Sequence, residues 1–148
     1  MDLDTLLNKN QKEAATYLDS HLRIIAGAGS GKTRVVTYRI AHLIQDVGID
    51  PRSILAITFT NKAANEMKER VNEVVGIHGS GTLICTIHSL CVRFLRQHIN
   101  VLNYPSNFTI MDEEDQKALI KKLYTQLEID AKVISIKSMI NTISSYKT

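Results

Sequence analysis

The sequence predicts an α/β fold, a parallel sheet with flanking helices, followed by the start of a helical subdomain. Three observations carry that reading. Short apolar, β-branched runs alternate with stretches of helical period, a glycine-rich turn joins the first run to the first helical stretch, and beyond Pro105 only the helical period is left.

The elements follow in order. Residues 22–26 (LRIIA), 54–58 (ILAIT) and 83–87 (LICTI) read as strands buried on both faces, because they are short, mostly apolar and rich in β-branched side chains. Between them Val36, Ile40, Leu43, Ile44 and Val47 form one helical stripe, and Ala63, Ala64, Met67, Val71, Val74 and Val75 form another. Strand, helix, strand, helix, strand implies right-handed crossovers in a parallel sheet. A third helix runs from Ser89 to about Ile99, and NVLNYPSN then breaks the pattern with a proline and three asparagines. Stripes at Leu119, Leu123 and Leu127, and at Ile136, Met139, Ile140 and Ile143, make the remainder all-helical. The boundary is expected near residue 105, dividing the chain into 1–105 and 106–148.

Composition bounds the function. At 148 residues and 44% hydrophobic content the chain is long enough to bury a core. Lys and Arg number 18 against 15 Asp and Glu, for a net charge of +3, and all of that excess lies within residues 1–100. A polyanion site is therefore expected there. Cys85 and Cys91 have neither metal-ligand spacing nor a disulfide framework, which suits a reducing compartment. The start, MDLDTLLNKNQ, has no basic region leading into an apolar core, and no later run is long enough to span a bilayer. A cytoplasmic protein with no membrane partner is expected.

The stretch IIAGAGSGKTR, residues 24–34, lies where the first strand should hand over to the first long helix. Glycines let backbone amides turn inward around an anion, and a helix amino terminus adds partial positive charge. In the pattern G-x-x-x-x-G-K-[ST], Lys32 reaches the β- and γ-phosphates and the Thr33 hydroxyl ligates Mg²⁺. Ala26 stands where the pattern has its first glycine, and alanine permits the turn if its backbone angles are ordinary. ITFTNKAANEMKERV (57–71) and TIHSLCVRFLRQH (86–98) follow the second and third strands. They put Thr58, Phe59, Thr60, Thr86, His88 and Ser89 at the carboxyl ends of strands, where open α/β sheets bind ligands. Hydroxyls, an aromatic ring and cations at one sheet edge suit single-stranded nucleic acid. Strand-end capping by Thr58 and Thr86, a core Phe59 and a satisfied interior His88 are the competing explanations.

With these motifs in place, the chain resembles the UvrD/Rep/PcrA-type superfamily 1 DNA helicases. LNKNQKEA (7–14) is similar to that family's Q motif, AGAGSGKTR (26–34) to motif I, TFTNKAANEM (58–67) to motif Ia, and TIHSLCVRFLR (86–96) to its next DNA-binding motif. The resemblance implies a P-loop, RecA-like ATP-binding domain 1A over residues 1–105 and the beginning of subdomain 1B over 106–148. It implies ATP and Mg²⁺ as cofactors, single-stranded and duplex DNA as partners, and 3′ to 5′ translocation coupled to unwinding. By resemblance Gln11 recognises adenine, and a carboxamide can pair in bidentate fashion with adenine N6 and N7. Ala26, Gly27, Ala28, Gly29, Ser30, Gly31, Lys32 and Thr33 hold the triphosphate and metal, with Arg34 beside them, and Lys32 and Thr33 carry the catalytic roles. Thr58, Phe59, Thr60, Asn61, Thr86, His88 and Ser89 contact DNA. Where the family has T-F-H, this chain has Thr86, Ile87, His88, so only the aliphatic part of that ring's packing remains.

FTIMDEED, residues 108–115, has the form of a Walker B strand with its Asp-Glu pair. Acidic residues at a helix start are explained by capping and the helix dipole, and in the family a similar start opens 1B, so the pair is assigned to capping. The resemblance then ends inside 1B. The chain is expected to be an amino-terminal fragment, inactive in ATP hydrolysis alone and self-associating through the sheet edge and apolar face left open. A helicase-nuclease recombination subunit and a non-hydrolysing nucleotide-binding module are the alternatives.

Overall fold

A computed structural model describes residues 1–147. They divide into two compact units, Met1–His98 and the chain from Ile99 onward, so the division falls ahead of the break at Pro105.

In the first unit β1 (Leu55–Thr58) pairs in parallel with β2 (Leu83–Thr86), Leu55 opposite Leu83 and Thr58 opposite Thr86. Parallel partners need a crossover, and α4 (Asn61–Val75) supplies it. That helix starts where the Thr60 hydroxyl accepts the Ala63 N–H, and it stops at Gly76, whose φ of +65° suits glycine. Ala64, Met67, Val71 and Val75 form its buried stripe and pack on Ile40 and Ala41 of α3 (Lys32–Gln45) and on Ile84 of β2. Val36 and Ile44 border this core as the helical stripe predicts, whereas Val47 lies past the end of α3 and is exposed. A short α1 (Leu3–Leu6) and α2 (Lys9–Thr16) add a second cluster, in which Leu3, Leu7 and Ala15 pack on Val35. α5 (Ile87–His98) follows β2 directly.

The sheet departs from expectation in two ways. Residues 22–26 form no strand, and Ile25 is 85% exposed. A strand is held by ladder hydrogen bonds to a neighbour, and an apolar, β-branched composition supplies none by itself; the described sheet holds only β1 and β2. Burial on both faces also fails. Ile84 and Thr86 are buried on the side covered by helix, but Leu55 and Ile57 on the alternate face are about half exposed. Side chains alternate across a strand, so helices packed on one face leave the other open.

The second unit is helical. α6 (Glu113–Gln126) opens with a capping box, in which Asp112 accepts from the Glu114 and Asp115 N–H groups and Asp115 accepts from the Asp112 N–H. Residues 108–111, the supposed Walker B strand, are not in a strand. Of the Asp-Glu pair, Asp112 caps the helix, and Glu113 stands in its first turn 3.8 Å from the Lys117 ammonium. α6 packs on α7 (Ile136–Lys147). Ile120 and Tyr124 are its buried residues, while the expected stripe of Leu119, Leu123 and Leu127 is largely exposed. Leu119 and Leu123 instead join Ile120, Ile140 and Ile143 in lining a groove of about 410 Å³. The two stripes lie one residue apart, and period alone does not choose between them.

A charge cluster ties the amino terminus to α3. The Met1 ammonium lies 3.0 Å from Asp46 Oδ1, and His42 Nδ1 lies 2.8 Å from Asp46 Oδ2. Hydrogen bonds from His42 first, then from the terminal amine, hold the Asp46 carboxyl below its ordinary value of 3.8. A depressed carboxyl contributes stability that is fully present above 3.8 and is lost as pH falls through the lower folded value. We expect a small drop in melting temperature as pH falls below about 4, and Asp46→Asn should reduce it, since that variant lacks this titrating group while Asp50, lowered by Arg52, remains. An unchanged pH dependence in Asp46→Asn would show that other carboxyls set the acid limit. The effect is small because the cluster is partly solvated.

Candidate nucleotide and nucleic-acid site

The glycine-rich stretch forms a turn over residues 28–30 and opens α3 at Lys32. Two of its glycines are required by conformation. Gly29 has φ +73° and Gly31 φ +84°, and a Cβ at position 31 would lie 2.8 Å from Gln11 Nε2. Gly31 caps α3 without any side-chain hydrogen bond, so the first-turn amides have no side-chain acceptor. Around Gly27 and Gly29 the space where a Cβ would stand is open. Such a turn, with a helix start that no side chain caps, suits an anion.

Lys32 folds back over this loop. Its ammonium donates to the Ala26 carbonyl at 3.0 Å and to the Gly27 carbonyl at 2.6 Å, while the Ser30 hydroxyl donates to the same Gly27 oxygen at 2.8 Å. Lys32, Thr33 and Arg34 are exposed, and the Arg34 guanidinium lies 5.7 Å from the Tyr38 ring centre. The Thr33 hydroxyl therefore stands at the helix start, where a divalent cation held by phosphates would meet it. Among the described residues no group of three or more His, Cys, Asp or Glu side chains forms a ready-made metal cluster.

Gln11 is joined to the loop directly. Its Nε2 donates to the Ser30 carbonyl at 3.0 Å, and its Oε1 accepts the Asn8 N–H at 3.1 Å. Asn8 Oδ1 accepts the Gln11 N–H in return at 3.0 Å, completing a capping box at the start of α2. The carboxamide has a fixed polarity, oxygen toward Asn8 and nitrogen toward the loop. Arg39 holds the other end of the helix, its Nη1 donating to the carbonyls of Tyr17 at 2.6 Å and Ala14 at 3.1 Å. Sequence reasoning missed both supports. An Asn three residues before a Gln at a helix start is a recognisable capping pattern, whereas nothing in the sequence shows that Arg39 meets carbonyls more than twenty residues away.

The second group of residues gathers at the carboxyl end of the sheet, because the register sets Thr58 opposite Thr86. Phe59 projects fully into solvent, at 100% exposure, and is not core. The Thr58 hydroxyl donates to the Thr60 carbonyl at 3.1 Å, and Asn61 is the exposed first residue of α4. Thr86 is buried at 6% exposure; its hydroxyl accepts the Ser89 N–H at 3.2 Å and lies 2.9 Å from the Ser89 hydroxyl. Thr60 and Thr86 thus act as helix caps in this conformation, leaving Phe59, Asn61, His88 and part of Ser89 as the open face. No helix among the described residues is long and apolar enough to cross a membrane.

Residues 7–148 match the UvrD/REP helicase N-terminal domain. The chain is 48% identical over 141 residues to the ATP-dependent DNA helicase PcrA of Bacillus subtilis, covering 95% of this chain and 19% of that protein. It is 46% identical over the same length to proteins of that name from Staphylococcus aureus and Staphylococcus epidermidis, and spans 19% of each. By a match over nearly its whole length, the chain belongs to the UvrD/REP helicase N-terminal domain family.

Proposed function

We propose that this chain is the ATP-binding part of a DNA helicase that couples ATP hydrolysis to 3′ to 5′ movement along single-stranded DNA and to duplex unwinding. The observation that carries the reading is the loop of residues 26–33, open at the start of α3 with Gln11 hydrogen-bonded to it. The family membership and the helicase names of its relatives support it. The fold is then a P-loop, RecA-like domain 1A, followed by the opening of subdomain 1B.

In this reading the loop amides and the Lys32 ammonium bind the β- and γ-phosphates, the ammonium exchanging the Ala26 and Gly27 carbonyls for phosphate oxygens. Thr33 offers its hydroxyl to Mg²⁺, which neutralises charge between those phosphates when bound. Gln11 presents oxygen and nitrogen to adenine N6 and N7, giving up its contact with Ser30 to do so. The acid pair Asp112 and Glu113 opens α6 and is assigned no part in hydrolysis. The 148 residues are accordingly expected to bind Mg-ATP without turning it over.

The DNA side makes its own prediction. A fully exposed phenylalanine is available to stack on a base, so Phe59→Ala in the full-length protein should weaken single-strand binding by about 1 to 3 kcal/mol with little change in salt dependence. Equilibrium titration of a labelled oligonucleotide measures it, and unchanged affinity would remove Phe59 from the interface. Polarity is read by strand displacement on duplexes with a 3′ or a 5′ single-stranded tail. Unwinding of the 5′-tailed substrate alone would overturn the proposed direction.

A further inference from the structure

At the amino end of β2 the first unit forms a separate, open cavity of about 730 Å³. Its wall includes Arg52, Lys68 and Asn72 of α4, the turn at residues 79–82, and Arg93 of α5. Three cations line it, and no carboxylate does. Lys68 and Asn72 share a helix face by their spacing of four. The turn closes on its neighbours because two glycines allow it. A Cβ on Gly79 would stand 3.3 Å from Val71 Cγ1, and one on Gly81 would stand 3.0 Å from Arg52 Cγ. Arg52 is paired with Asp50, Nη2 to Oδ2 at 2.7 Å, which takes up part of its charge. Lys68 and Arg93 have no ion-pair partner among the described residues, and both are exposed.

This cavity is distinct from both groups of residues described above. It borders Leu83 and Ile84, whereas the Thr58 and Thr86 edge lies at the other end of the strand, about 10 Å away at 3.3 Å per residue. One phosphate cannot occupy both places.

We propose that the cavity is a second DNA contact, taking backbone phosphates outside the segment that stacks on Phe59. The inference rests on the DNA-binding reading above. Guanidinium and ammonium groups with polar Asn72 and Ser80 around them suit phosphodiester oxygens, and contacts to phosphates carry no sequence information. Charges spread round an open rim favour a run of phosphates over one enclosed ion, and the net positive charge of the chain falls in this part of it. The phosphates come either from the continuing single strand or from an adjoining duplex.

The test is a salt series of binding titrations on the full-length protein, with a single-stranded thymidine oligonucleotide and a duplex carrying a 3′ tail. Lys68→Gln with Arg93→Gln is the main variant, Lys68→Glu with Arg93→Glu the second, and thermal melts establish that each is folded. Neutralisation should weaken binding about tenfold at low salt and reduce the slope of log affinity against log salt by about 1 to 2, since each phosphate contact contributes about 0.7 to 0.9. A change on the tailed duplex alone identifies the duplex as the source, and a change on both DNAs identifies the continuing strand. Slopes equal to wild type on both DNAs overturn the proposal and leave the Phe59 edge standing. Binding of inorganic phosphate that the variant loses, with DNA slopes unchanged, marks a small-anion site and also overturns it. A wild-type protein that binds neither DNA sinks this inference together with the reading it rests on.

Discussion

Lys32→Ala in the full-length protein should lower DNA-stimulated ATP turnover by about 10² to 10³ or more while the melting temperature stays within a few degrees of wild type. The two halves of that expectation have different sources. Lys32 is the first residue of α3, is exposed, and its ammonium bonds to the carbonyls of Ala26 and Gly27, so its removal takes nothing from the core around Ile40 and Val71. In the proposed reading its ammonium also meets the γ-phosphate, where charge develops as the bond breaks. Steady-state hydrolysis with saturating single-stranded DNA, beside a thermal melt, measures both. Near wild-type turnover in a folded Lys32→Ala protein would remove the phosphate-loop assignment and the motor reading with it.

The largest structural effect is expected at Ile84. This β2 side chain is 2% exposed and sits in the cluster with α3 and α4, where sheet and both helices meet. Truncation to alanine leaves a cavity among side chains of fixed rotamer and should cost about 2 to 5 kcal/mol. The same residue lies within the pair of strands that sets Thr58 opposite Thr86, facing Ala56 in the register, so DNA affinity should fall with stability. Chemical denaturation of Ile84→Ala against Ile84→Val measures the stability part, because valine keeps most of the volume and should cost only about 0.5 to 1.5 kcal/mol. A loss under 1 kcal/mol in Ile84→Ala would mean that the sheet is not anchored by this contact.

Local pattern made the helices and the loop legible. Ala64, Met67, Val71 and Val75 repeat at helical spacing, and that stripe is the one buried. The acids before Leu119 read as a helix start, and Asp112 and Asp115 form a capping box there. Both follow from bonds between residues three or four apart, which sequence spacing records directly. Residues 22–26 show the opposite case. Their composition is that of a strand, but a strand exists only beside another, and composition does not name the neighbour. The Leu119 stripe failed for a related reason, since either of two adjacent faces of α6 satisfied the period and contact with α7 decided which was covered.

The sequence by itself determined the glycine-rich turn, the lysine and threonine that follow it, and the hydroxyl and aromatic residues at two strand ends, because each depends on neighbours a few positions away. Only the tertiary structure decided that Gln11 reaches the Ser30 carbonyl across 19 positions, that Arg39 grips the end of α2, that Phe59 is bare while Thr86 is buried, and that Lys68 and Arg93 line one cavity. Those facts depend on which distant segments share a helix face or a strand register. Burial and crossover packing set that choice, and the sequence records only its local half.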